Sequence, residues 1–126
     1  MIMKKAFTMI ELIFVIVVIG ILAAIAVPKM AATRDDAIVS KARATVGALR
    51  SAISMERQKN ILKGVFTDIN GSAAESLLDY GLDSNWARSG NNFTFTEPST
   101  SNTCVFTVNN NRLEKGSCGV SGLSDL

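Results

Sequence analysis

The chain has 126 residues, a formal net charge of +2 and no histidine. So small a net charge does not imply a nucleic-acid or acidic partner. The absence of histidine disfavours the common acid–base, metal-binding and nucleophile-activating arrangements, so we expect no enzyme active site, no cofactor and no metal.

The first predicted element is an apolar helix near the N-terminus. Residues 12–27 contain no polar side chain, and residues 7–27 would span about 31 Å as a helix, which matches the hydrocarbon core of a bilayer. A buried core helix would show a polar stripe, and none is present. A cleaved signal peptide is a second alternative, but Pro28 follows the run and a helical pattern then continues. The run therefore predicts a segment that lies in the lipid bilayer.

The helical pattern continues beyond Pro28 with a single apolar face. Apolar residues recur there at spacings of three and four: Ile38, Ala42, Val46, Leu49 and Ile53. We expect one helix from about Phe7 to Asn60, bent at Pro28 because proline removes a backbone donor and clashes with the preceding turn. Residues 29–60 are thus predicted to be an amphipathic helix that continues into a globular head.

The predicted head comprises residues 61–126 and begins with a short helix. The stretch TDINGS marks a break after the long helix. Ser72 and Glu75 have the spacing of a capping box, which predicts a helix over residues 73–80 that ends at Gly81.

The rest of the head is predicted to be a small antiparallel sheet. The apolar period changes to two in NFTFTE and in TCVFTVN, and RLEKG gives a third strand after the turn signal NNN. Trp86 is expected in the core, against the long helix. The predicted fold class is therefore α+β, with a long N-terminal α-helix packed on a small C-terminal antiparallel sheet.

The two cysteines, Cys104 and Cys118, lie in the polar C-terminal region. An even count there indicates one disulfide, which requires an oxidising compartment; the alternative is two buried free thiols. Lys4 and Lys5 precede the apolar run and two basic residues follow it, so charge alone does not orient the segment. The cysteine pair favours a cytoplasmic N-terminus and a head outside the cytoplasm.

The N-terminal residues 4–28 read KKAFTMIELIFVIVVIGILAAIAVP. This stretch resembles the type IV pilin and type II secretion system pseudopilin superfamily. The resemblance implies that a prepilin peptidase removes residues 1–6 as a leader by cutting between Ala6 and Phe7, and that the new amine of Phe7 is N-methylated. The family usually has glycine at the position of Ala6, so this residue departs from the pattern.

The resemblance also implies where the chain lies and what it contacts. Residues 7–28 would span the inner membrane, with the head in the periplasm, and would then form the centre of a helical filament. The implied partners are further copies of the chain, other pilins or pseudopilins, the prepilin peptidase, an inner-membrane assembly platform and the lipid bilayer.

Glu11 is a carboxylate at the start of an otherwise apolar run, where a charge costs up to about 3 kcal/mol. Leader removal would create a positive amine at Phe7. We interpret Glu11 as the group that neutralises the Phe7 amine of a neighbouring subunit, because only one axial stagger then pairs every charge. The alternative is that Glu11 merely favours the helix N-terminus through the helix dipole.

The predicted function is a structural subunit of a type II secretion pseudopilus or a type IV pilus, and the short head favours the pseudopilus. The alternative is a monomeric single-pass membrane protein whose periplasmic head binds a ligand or senses a signal. No direct contact with nucleic acid is expected, because Lys59 and Lys63 form no dense basic patch. Asp68, Asp79 and Asp83 are loose candidates for calcium ligands, but a solvated loop is the expected state.

Overall fold

The computed structural model of the protein describes residues 6–126, so the predicted leader and its Lys4 and Lys5 lie outside the described residues, except for Ala6. The elements within this range follow in the order α1 Met9–Leu62, α2 Gly71–Ser76, β1 Trp86–Ser89, β2 Asn92–Thr96, β3 Thr103–Asn109 and β4 Arg112–Cys118. The long helix followed by a small antiparallel sheet confirms the predicted α+β class.

The described chain divides into two compact units, of which the first ends at Arg34 and the second is Asp35–Leu126. The first unit consists mainly of the N-terminal part of α1. Its large apolar side chains are exposed in the isolated chain, because they surround the helix on all sides and no other described element of that unit covers them. Within residues 6–126, α1 is the one helix that is long and apolar enough to cross a membrane.

Pro28 lies inside α1, and the helix continues on both sides of it. A proline is tolerated in a membrane-spanning helix when neighbouring groups satisfy the backbone acceptor that it leaves free. The bend expected at Pro28 stays a prediction.

The second unit contains the hydrophobic core. The four strands pair antiparallel in chain order, β1-β2-β3-β4. Phe93 of β2 lies opposite Phe106 of β3, and both are fully buried. They belong to the same hydrophobic core as the apolar face of α1. The predicted apolar face of α1 is confirmed: four of its five residues are buried and Ile38 packs at the edge. Burying one such side chain contributes about 1.5–3 kcal/mol to folding, so this face fixes the sheet on the helix.

The sheet has one strand more than the sequence predicted. β1 begins at Trp86, which is buried as expected, with its ring centroid 5.3 Å from that of Phe95 and 6.0 Å from that of Phe106. The three residues after Trp86 are exposed. The strand therefore lacks the apolar alternation by which the other strands were recognised.

The predicted limits and cap of the short helix were wrong. α2 begins at Gly71 and ends at Ser76, and Asn70 is its N-cap because the Asn70 side chain accepts the backbone N–H of Ala73 at 2.8 Å. The Glu75 carboxylate does not accept a hydrogen bond from the start of α2, as a capping box would require. It forms an ion pair with Arg88 of β1 instead.

The turn signal NNN joins β3 to β4, and both Asn110 and Asn111 adopt positive φ, as a tight hairpin turn requires. Asn111 also holds the segment before α2. Its side-chain oxygen accepts the backbone N–H of Ile69 at 2.7 Å, and its amide donates to Asp68 at 2.7 Å. The hairpin therefore orders a stretch that the sequence indicated only as a break.

The end of the chain folds back onto α1, which the sequence did not predict. Cys104 and Cys118 form a disulfide between directly opposed positions of β3 and β4. We call residues 119–126 the C-terminal segment. Its Val120 and Leu123 are fully buried, and Arg43 of α1 donates two hydrogen bonds to the carboxylate of Asp125, at 2.8 and 3.0 Å.

Candidate assembly site

The candidate site lies at the N-terminal end of α1. Thr8 precedes the helix, and its side-chain oxygen accepts the backbone N–H of Glu11 at 3.3 Å. The Glu11 carboxylate accepts the backbone N–H of Thr8 at 2.9 Å and the Thr8 hydroxyl at 3.1 Å. These reciprocal bonds form a capping box, which satisfies two of the backbone donors that a helix leaves free at its start.

The sequence contains a signal for this contact. Thr8 and Glu11 have the same Thr/Ser-x-x-Glu spacing that we assigned, incorrectly, to the start of the short head helix. Because the capping box begins at Thr8, α1 starts at Met9, two residues later than expected. Phe7 remains outside the helix and exposes 89% of its surface.

Apolar side chains surround the carboxylate. Glu11 lies in an open groove of about 400 Å³ on the helix surface, lined by Phe7, Ile10, Phe14 and Val15. In a bilayer or a helical bundle this surrounding excludes water, and an ion pair there interacts more strongly than in water. The site can therefore hold a cation against Glu11, and Phe7 lines the same groove.

In the isolated chain Glu11 thus stabilises the N-terminus of its own helix, as in the alternative interpretation, but it does so through hydrogen bonds and not only through the helix dipole. In the described chain Glu11 bonds to Thr8 through a single oxygen, Oε2. A carboxylate offers about four acceptor positions on its two oxygens. The capping box and a bond from an external amine are therefore compatible. The pairing of Glu11 with a neighbouring Phe7 amine stays a prediction.

The weaker candidates in the head are distributed over separate contacts. Asp68 accepts a hydrogen bond from Asn111, and Asp83 forms an ion pair with Lys41 at 3.0 Å. Among the residues described, no group of three or more His, Cys, Asp or Glu side chains could hold a metal ion. Lys59 pairs with Glu56 at 3.2 Å on the same helix.

Comparison with known proteins gives matches that lie in the N-terminal part of the chain or cover less than half of it. The model of the prokaryotic N-terminal methylation motif matches residues 1–27. The chain is 51% identical over 51 residues to the type IV narrow pilus major component PilA5 of Thermus thermophilus, a match that covers 40% of this chain and 44% of that protein.

A second relative is the type II secretion system core protein G of Pseudomonas aeruginosa, 37% identical over 57 residues, which are 45% of this chain and 40% of that protein. The chain therefore spans less than half the length of the curated relatives it matches. No solved structure matches it significantly. The chain carries the prokaryotic N-terminal methylation motif, and its resemblance to type IV pilins and type II secretion pseudopilins is confirmed.

Proposed function

We propose that the chain is a structural subunit of a helical filament, either a type II secretion pseudopilus or a type IV pilus. The observation that carries the proposal is a lone carboxylate, Glu11, in an exposed apolar helix that begins with a methylation motif. The two relatives named above belong to these two machines. Their names describe a pilus component and a secretion-system core protein, which supports a structural role and not a catalytic one.

The physical basis is the cost of an unpaired charge. A carboxylate in the bilayer costs about 3 kcal/mol at mid-depth on insertion scales and less near the end of a helix. The Thr8 capping box reduces this cost in the single subunit, but it supplies no positive charge. A neighbour's Phe7 amine would supply it, and a wrong axial stagger would leave both charges unpaired in an apolar surrounding. Glu11 would therefore set the register of the filament.

In the proposed function, the N-terminus is processed before the subunit assembles. A prepilin peptidase would cut between Ala6 and Phe7, and the Phe7 amine would then be N-methylated. Residues 7–28 would hold the subunit in the inner membrane until an assembly platform inserts it among other pilins or pseudopilins. The disulfide of the head supports an oxidising compartment on the far side of the membrane, such as the periplasm.

The second candidate is a monomeric single-pass membrane protein with a sensing or ligand-binding head. The observation in its favour is the capping box, because a Glu11 that is satisfied by Thr8 needs no partner from another chain. This candidate predicts no dependence of function on a polymer.

Processing and polymer content distinguish the two candidates. The chain would be purified from its native host, and its N-terminal peptide would be sequenced by mass spectrometry. Material sheared from the cell surface and the periplasmic fraction would be imaged for filaments that contain the chain. A filament subunit should lack residues 1–6, carry one methyl group on Phe7 and occur in filaments. An intact N-terminus in a protein that is never found in a polymer would support the monomer.

A further inference from the structure

We propose that Asn70 is the acceptor of an N-linked oligosaccharide. Asn70, Gly71 and Ser72 spell Asn-x-Ser with a middle residue other than proline, which is the motif for attaching a sugar to an asparagine side chain. The proposed filament function does not use this motif. The inference rests on that function in one respect only, that the head lies across the membrane from the cytoplasm.

The reaction needs one co-reactant, an oligosaccharide linked through pyrophosphate to a polyprenyl lipid, and a membrane-bound transferase. A bond forms between Nδ2 of Asn70 and the anomeric carbon of the first sugar. The bond between that carbon and the pyrophosphate oxygen breaks, and its electron pair leaves with the polyprenyl pyrophosphate. The proton lost from the amide nitrogen passes to a base of the transferase, so no oxidant or reductant is required.

The two functional residues of the motif are accessible in the folded head, although Gly71 between them is buried. Asn70 and Ser72 are both exposed, and the Asn70 backbone is extended, with φ −91° and ψ 171°. Asp68, two residues before Asn70, is also exposed. The stretch DINGS therefore presents a carboxylate, the acceptor amide and the motif hydroxyl on one surface segment.

The fold tolerates a sugar at this nitrogen. The side-chain oxygen of Asn70, and not its nitrogen, accepts the backbone N–H of Ala73. An N-linked sugar leaves that oxygen in place as an amide carbonyl. The cap of α2 is therefore retained after transfer, and the folded head accepts the modified side chain without losing this hydrogen bond.

A second motif of the same kind provides an internal comparison. Asn92, Phe93 and Thr94 spell Asn-x-Thr, but they lie in β2, which pairs with β1 on one side and β3 on the other. Phe93 is fully buried, and the Asn92 oxygen accepts the hydroxyl of Thr107 at 2.8 Å. Asn92 is itself exposed, but a transferase that bound the whole motif would have to separate β2 from both neighbouring strands. The structure therefore favours Asn70 over Asn92.

The test uses the full chain expressed in and purified from its native host. Intact-mass measurement of the wild type should give the polypeptide mass plus that of an oligosaccharide, and fragmentation should place the sugar on Asn70. Ser72→Ala and Asn70→Gln should lose the whole mass shift. Ser72→Thr, which keeps the motif, and Asn92→Gln should retain it.

Folding and processing are controlled within the same experiment. Ser72 is exposed and is not the cap of α2. When both proteins are made in a host without the transferase, Ser72→Ala should therefore melt at the same temperature as the wild type. An unshifted wild-type mass, or a shift that survives Ser72→Ala, overturns the proposal. Leader loss and methylation are read from the N-terminal peptide, so failure here is distinct from failure of the proposed function.

Discussion

At the scale of single residues, Glu11 has two properties that can be distinguished: its side chain caps α1, and it carries a negative charge. Its contacts with Thr8 are those of a capping box. The charge is a separate property, because glutamine serves as well as glutamate at this position of a capping box. A substitution can therefore remove the charge and keep the cap, which makes the charge-pairing role testable.

A second residue-scale prediction concerns Asp125. Its hydrogen bonds from Arg43 lower the pKa of the Asp125 carboxyl below its ordinary value. A lowered folded-state pKa adds stability that is present above the unfolded pKa and is lost as the pH falls through the folded pKa. In urea unfolding, the stability difference between wild type and Asp125→Asn should be present at pH 7 and narrow as the pH falls below about 4.

Arg43→Gln is the matched variant for this prediction, since it removes the partner and leaves the carboxyl. It should reduce the pH dependence that Asp125 contributes, because the Arg43 hydrogen bond is the largest cause of the lowered Asp125 pKa. If wild type and Asp125→Asn differed in free energy of unfolding by the same amount at pH 7 and at pH 3, the Arg43–Asp125 ion pair would not contribute to the pH dependence of stability.

At the scale of elements, the long helix was predictable because its patterns are long and strong. Residues 12–27 contain no polar side chain and residues 38–53 repeat at helical spacing, so type and approximate limits follow from the sequence. The sheet was predicted only in part, because β1 has one buried residue and three exposed ones. The cap of α2 was missed because Asn70 and Ser72 are both good capping residues, and their residue types alone do not distinguish them.

The packing of α1 gives an element-scale prediction with a matched control on the same helix. Leu49 is fully buried, whereas Leu62 exposes 89% of its surface. Leu49→Ala should lower the free energy of unfolding of the head by about 2–5 kcal/mol, because it removes apolar contacts and leaves a cavity. Leu62→Ala should change it by less than about 0.5 kcal/mol. Equal effects in denaturant unfolding would show that the head does not pack on this face.

The corrected cap gives a further element-scale prediction. Asn70→Ala removes the side-chain oxygen that accepts the N–H of Ala73 and should cost about 1 kcal/mol. Ser72→Ala should be close to neutral, because Ser72 is exposed and follows the cap. Thermal unfolding of protein made in a host without a transferase measures both. A larger loss for Ser72→Ala would restore the capping box that the sequence indicated.

At the scale of the whole molecule, the contacts that close the head join residues far apart in sequence. Arg43 and Asp125 are 82 positions apart, and no local pattern predicts such a pair. The disulfide is similar, since an even cysteine count indicates a bond but not its place in the sheet. The sequence therefore predicts the class of fold and the long helix α1 better than it predicts the long-range contacts that join the head to α1.

The disulfide yields a prediction at this scale. Cys104 and Cys118 close a loop with a sequence separation of 14, for which the loop-entropy model gives about 3 kcal/mol. Reduction of the wild type should lower the free energy of unfolding by about that amount. The double variant Cys104→Ser, Cys118→Ser should not respond to reductant. A wild type equally stable with and without reductant would show that the bond does not support the head.

The central claim is that Glu11 sets the filament register through its charge, and Glu11→Gln tests it most directly. Glutamine is expected to keep the capping box with Thr8 but cannot neutralise an amine. The amount of filament sheared from native-host cells should be measured for wild type, Glu11→Gln and Glu11→Asp, at matched levels of processed subunit in the membrane. We predict that Glu11→Gln subunits are cleaved and methylated but form no filaments, whereas Glu11→Asp, which keeps the charge, retains part of the assembly. Normal filaments from Glu11→Gln subunits would contradict the claim.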